Sequence, residues 1–150
     1  TPWVRAVQAG GTDANGQLPE RAISEGEGTP CRHCLRNVPR GAEMLVLAAR
    51  PFSRLQPYAE TGPIFLCARA CSRWEGEGLP PVFGVGGEMR LLKGYSPDDR
   101  IVYGLGEVVP VDAVAARARA LLDNPRVAYV HVRSSTNNCF TCRIDRATLP

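Results

Sequence analysis

The hydrophobic pattern is clearest in the last third of the chain. Arg126 to Arg133 and Cys139 to Asp145 both alternate, and Ser134-Ser135-Thr136-Asn137-Asn138 between them has turn composition. This predicts a β-hairpin over about 126–145. Ala128, Val130 and Val132 share one face with Phe140, Cys142 and Ile144. Tyr129, His131 and Arg133 share the other with Cys139, Thr141 and Arg143. A five-residue turn sets Arg133 opposite Cys139, His131 opposite Thr141 and Tyr129 opposite Arg143. Just upstream, Val111, Val114, Ala115, Ala118, Leu121 and Leu122 recur at three- and four-residue steps. They predict a packed helix over about 112–123, with Asp112 as N-cap and Asn124-Pro125 as its stop.

The rest of the chain reads as strands and turns. Trp3 to Val7, Glu43 to Ala49, Ile64 to Leu66, Met89 to Lys93 and Arg100 to Val109 are predicted strands. Tyr95 to Asp99 is a turn, and Pro51 to Pro63 is an irregular surface segment. Gly10 to Thr29 has little periodicity and predicts a long mobile loop. The expected fold is α+β: a mainly antiparallel β-sheet with one packed helix and a C-terminal hairpin, in a single domain over 1–150.

Composition changes this picture little. The 150 residues suffice for an ordinary core, and no apolar run reaches the roughly 20 residues of a bilayer span. A net charge of +3, carried by scattered arginines with a single lysine, Lys93, does not favour a nucleic-acid partner. A cytoplasmic location fits, although a chain opening at Thr1 leaves a removed secretory leader open.

The cysteines matter more. Six form three close pairs: Cys31/Cys34, Cys67/Cys71 and Cys139/Cys142. Cys-x-x-Cys followed about thirty residues on by Cys-x-x-x-Cys is a credible tetrahedral Zn²⁺ set, because soft, anionic thiolates suit that ion. One condition attaches. Along an extended strand Cys67 and Cys71 would stand about 13 Å apart, so Ala68-Arg69-Ala70 must turn. His33 could replace one thiol. Disulfides, free thiols or thiol-disulfide redox chemistry are the other readings. Cys139-Phe140-Thr141-Cys142 is a weaker motif, because residues i and i+3 of a strand point apart.

A second candidate site is the polar face of the hairpin. There His131 could act as a base or activate Cys139, while Arg133, Arg143 and Tyr129, with Arg32 nearby, could hold a small anion. The competing reading is a solvated sheet face. Gly84-Val85-Gly86-Gly87 lacks a following helix and is no dinucleotide fingerprint.

Several segments together carry a resemblance: Pro30-Cys31-Arg32-x-Cys34-Leu35, Pro57-Tyr58-Ala59-Glu60-x-Gly62-Pro63-Ile64-Phe65, Arg90-x-x-Lys93-Gly94-Tyr95, and Val127 to Arg133 with Cys139-Phe140. From about Thr29 to Arg146 the chain resembles a bacterial family catalogued as domain of unknown function number 1203. The resemblance implies a single bacterial domain and no particular activity.

Overall fold

The computed structural model describes residues 1–84 and 88–146; three of the four residues of Gly84 to Gly87 lie outside that range. The fold is α+β, with one three-stranded and one four-stranded sheet, both antiparallel. The chain separates into two compact units. One comprises Thr1–Pro51 and Thr61–Val82; the other comprises Phe52–Glu60 and the chain from Phe83 onward.

The first unit starts with a helix, α1 (Pro2–Gln8), where alternation predicted a strand. Over so few residues the two periods are hard to separate. The Thr1 side chain accepting from the Val4 amide and the proline at the first helical positions decide for helix. Val4 and Val7, three residues apart, are then both buried. The stretch expected to be a mobile loop is tied down instead. The Asp13 carboxylate accepts from the amides of Asn15, Gln17 and Ala48, which holds its pKa below the usual value; the Ala48 amide is the largest cause. The same stretch supplies a short strand, β1 (Glu20–Ile23), which pairs with β2 (Glu43–Ala49). On its other side β2 pairs with β3 (Gly62–Cys67), giving the order β1-β2-β3. Leu45, Leu47, Ile64 and Leu66 alternate into a core shared with Val4, Val7, Val38 and the Cys31 side chain.

The second unit carries β4 (Met89–Tyr95), β5 (Glu107–Pro110), β6 (Tyr129–Ser134) and β7 (Phe140–Asp145), in the order β5-β4-β6-β7. The strand expected over Arg100 to Val109 is shorter. Gly104 takes a φ of +83°, and only Ile101 bridges back to Tyr95. The expected helix is present as a 3₁₀ turn, Val111–Ala113, running into α2 (Val114–Leu122). Asp112 lies inside that turn and caps nothing; Ala113 stands at the N-cap of α2 without a side-chain bond. Helix α2 packs on β4, β5 and β6, and Val114, Ala118, Leu121 and Leu122 are its buried positions.

The hairpin β6–β7 forms, with two corrections. Tyr129 pairs with Asp145, His131 with Arg143 and Val132 with Cys142, so the register is displaced by two residues from the expected one. A bulge between Val132 and Arg133 then sets Arg133 against Phe140. An extra residue in one strand leaves no mark on the alternation of either arm, so pattern alone could not reveal it. The second correction is burial. Residues 129–133 are all buried, so the β6 part of the polar face is not the solvated surface of the competing reading, while Arg143 of β7 stays exposed. The cover on that face is aromatic: the Phe52 ring centroid lies 5.5 Å from that of Tyr95 and 5.1 Å from the His131 ring.

Candidate metal and ligand sites

The first site grows from two turns in the first unit. Cys31 follows Pro30 and donates its amide to the Arg36 carbonyl, while the Leu35 amide returns to the Cys31 carbonyl at 2.9 Å. This closes a tight knuckle, and Leu35 takes a φ of +51° to complete it. The knuckle is fastened to β3: Cys31 bridges Phe65, and the Arg32 amide donates to the Phe65 carbonyl. The second pair starts at the last residue of β3, Cys67, and the chain then bends at 68–69, as the sequence condition required. Gln8 of α1 holds that bend. Its amide group donates to the carbonyls of Cys67 and Arg69, each at 2.8 Å, and lies 3.8 Å from the Cys71 sulfur.

The four sulfurs converge. All lie within 4.8 Å of one another. Cys31 Sγ is 3.9 Å from Cys71 Sγ, and Cys34 Sγ is 3.9 Å from Cys67 Sγ. None of the six cysteines is in a disulfide bond. Electrostatics separate one sulfur from the other three. Burial pushes the Cys31 thiol up, but the amides of Cys34, Cys67 and His33 outweigh it and bring the pKa below the ordinary value; the Cys67 amide donates to Sγ at 3.4 Å. Cys34, Cys67 and Cys71 move the other way, first from burial and then from the negative charge of neighbouring thiolates. Four such groups can all ionise only beside a compensating cation.

His33 does not replace a thiol in this set. Its ring is buried, with Nδ1 3.3 Å from Cys71 Sγ, and it is not one of the four groups that converge. Burial, followed by neighbouring positive charge, lowers its pKa. Neither Gln8 nor this role of His33 was legible in the sequence. Both depend on contacts spanning 38 residues or more.

The second site lies in the other unit. His131 is wholly buried among the rings of Phe52, Tyr95, Tyr129 and Phe140, with centroids 4.7 to 5.1 Å away. Burial, then the charges of Arg133, Arg143 and Lys93, push its pKa down to about 3. It is therefore a neutral imidazole at ordinary pH. Arg133 is buried too, with Nη2 3.5 Å from His131 Nδ1, 2.7 Å from Glu60 Oε2, and Nη1 donating to the Asn138 carbonyl.

Of the residues expected to act together, His131 and Arg133 do meet. The Arg143 guanidinium lies 3.7 Å over the Tyr129 ring and is paired with Asp145. The Tyr129 hydroxyl donates to Asp99 at 2.7 Å. Cys139 sits in the turn with its thiol on the Asn137 carbonyl, and its cross-strand place opposite Arg133 is taken by Phe140. Arg32 belongs to the knuckle of the first unit. Glu60 and Lys93, which lie in the segments that carry the family resemblance but had no site role in the sequence reading, complete the cluster: Lys93 Nζ is 3.5 Å from Glu60 Oε1.

No helix among the described residues is long and apolar enough to cross a membrane. Comparison with known proteins gives one family match: residues 28–146 fit the family described as Protein of unknown function (DUF1203), and both candidate sites fall within that span apart from Gln8. No curated protein and no solved structure matches the chain.

Proposed function

The chain belongs to the DUF1203 family, and we propose that it is a zinc-binding domain in which Cys31, Cys34, Cys67 and Cys71 hold one structural Zn²⁺. The convergence of the four sulfurs carries the reading. A tetrahedral ion with Zn–S bonds of about 2.3 Å has sulfur–sulfur edges of about 3.8 Å. The two close pairs stand at 3.9 Å. Sulfurs this close suit one ion better than a multi-iron cluster, which spreads its ligands over several metals. Four thiolates leave no position open for water or substrate, the arrangement of a structural site. The amide reaching Cys31 Sγ and the groups beside Cys71 Sγ are what oriented thiolate ligands require. Thiols kept reduced for metal also agree with a cytoplasmic setting.

The metal's role on this reading is to fasten the 31–34 knuckle to the end of β3, where the first unit has short strands and a small core. Elemental analysis of protein purified without added metal tests it. The expected result is about one zinc per chain, displaced together with the loss of four protected thiols. Below about 0.2 zinc per chain, with all four thiols reactive, the reading is overturned.

A further inference from the structure

Arg133 is 4% exposed, yet its carboxylate partner is not a buried one. Glu60 has 42% of its side chain exposed and lies at the end of the irregular segment Phe52–Glu60. It is held at both oxygens by different cations: Oε2 by Arg133 at 2.7 Å and Oε1 by Lys93 at 3.5 Å. A permanent counter-ion for a buried guanidinium is ordinarily buried with it, because an uncompensated buried charge is costly. Here two cations, both largely shielded from water, face one surface carboxylate.

Polar atoms on and around Arg133 are not satisfied. A guanidinium can only donate, so the contact from Arg133 makes His131 Nδ1 the acceptor and puts the ring proton on Nε2. His131 Nε2 and Arg133 Nε find no hydrogen-bond partner among the described residues, and the Tyr95 hydroxyl meets none in good geometry although the Arg133 guanidinium is close by. All three belong to side chains 0 to 4% exposed. They form one neighbourhood, since Arg133 touches His131 and the Tyr95 and His131 ring centroids are 4.7 Å apart. Buried polar groups of this kind are normally paired, and three together in one cluster point to something that brings oxygen atoms to them.

We propose that Lys93, Tyr95, His131 and Arg133 form a binding site for the carboxylate of a small organic acid, and that Glu60 fills this site in the free protein. Glu60 itself indicates the ligand class: one planar carboxylate, with an oxygen for each cation, is what the pair already holds. The surrounding Phe52, Tyr129 and Phe140 rings favour a small, partly apolar acid over a heavily hydrated polyanion. For a ligand to enter, the Glu60 side chain must rotate out to solvent, to which it is already 42% exposed. The neutral His131 keeps its Nε2 proton and serves as a donor.

Calorimetric titration of the full chain with butyrate, and separately with inorganic phosphate, tests this. Removing the internal competitor raises the binding-competent fraction, so Glu60→Ala should bind butyrate at least about tenfold more tightly than the unmodified chain. Adding Lys93→Gln to that variant should reverse the gain, with circular dichroism showing that the fold is kept. The His131 Nε2–H resonance should shift on adding butyrate. Equal, negligible heats for the unmodified chain and Glu60→Ala, with His131 unmoved, overturn the site. Binding of phosphate but not butyrate to Glu60→Ala overturns the ligand class.

Discussion

Cys31 Sγ lies 3.9 Å from the sulfur of Cys71, a residue forty positions later. This contact joins the knuckle to the bend beyond β3, and with Cys34 and Cys67 it completes the sulfur cluster. On the proposed reading, replacing Cys71 by serine leaves only three thiolates to hold the ion. Zinc affinity should fall by more than the ~10–100-fold that follows loss of a group behind the ligands. Competition with a chromophoric chelator measures it. The same chelator should lower the melting temperature of the unmodified chain, since an ion bound only to the folded state stabilises it by mass action, and should leave that of Cys71→Ser nearly unchanged.

Gln8 tests the bend alone. Its amide NH₂ donates to the carbonyls of Cys67 and Arg69, and it is not one of the four groups that converge. Gln8→Ala should keep one zinc per chain and release it about 10-fold faster to excess chelator, as expected when a ligand's supporting shell is loosened. Unchanged release would mean that the bend holds its shape without α1.

His131 gives the second unit a pH dependence. Its folded pKa, about 3, lies below the ordinary value of 6.5, so between those values the unfolded chain binds the extra proton. Stability attributable to this residue is intact above pH 6.5 and is lost as pH falls toward 3. The slope is at most ~1.4 kcal/mol per pH unit. Urea midpoints of the unmodified chain should drop more steeply over that window than those of His131→Asn. NMR titration should show the His131 ring still neutral at pH 5.

The Tyr129 hydroxyl donates to Asp99, whose carboxylate is buried and otherwise accepts from Ser53. Tyr129→Phe keeps the stacked contact with Tyr95 and removes only that donor. It should cost roughly 1–3 kcal/mol in urea denaturation, the range for stranding a buried acceptor. Asp99→Asn should cost less. Asn tolerates the φ of +64° found there, and its amide oxygen can still accept from Tyr129.

The α+β class, the helix near 112–123, the strands at Glu43 and Ile64, the C-terminal hairpin and the four-cysteine set are legible in the order of residues. Each is written in local spacing: a period of 3.6 or 2, or two thiols a knuckle apart. Local spacing says nothing about depth or long-range partners. Folding is what adds β1 to the first sheet, displaces the hairpin register by a bulge and buries the β6 residues around His131. It alone brought Gln8 to the cysteine bend and Glu60 to Arg133 and Lys93. The reason is physical. A side chain such as Glu60 or Gln8 has the same local signature on a solvated surface as beside a buried cation or a thiolate. Only the folded path of the chain, through contacts tens of residues apart, sets which of those neighbours it meets.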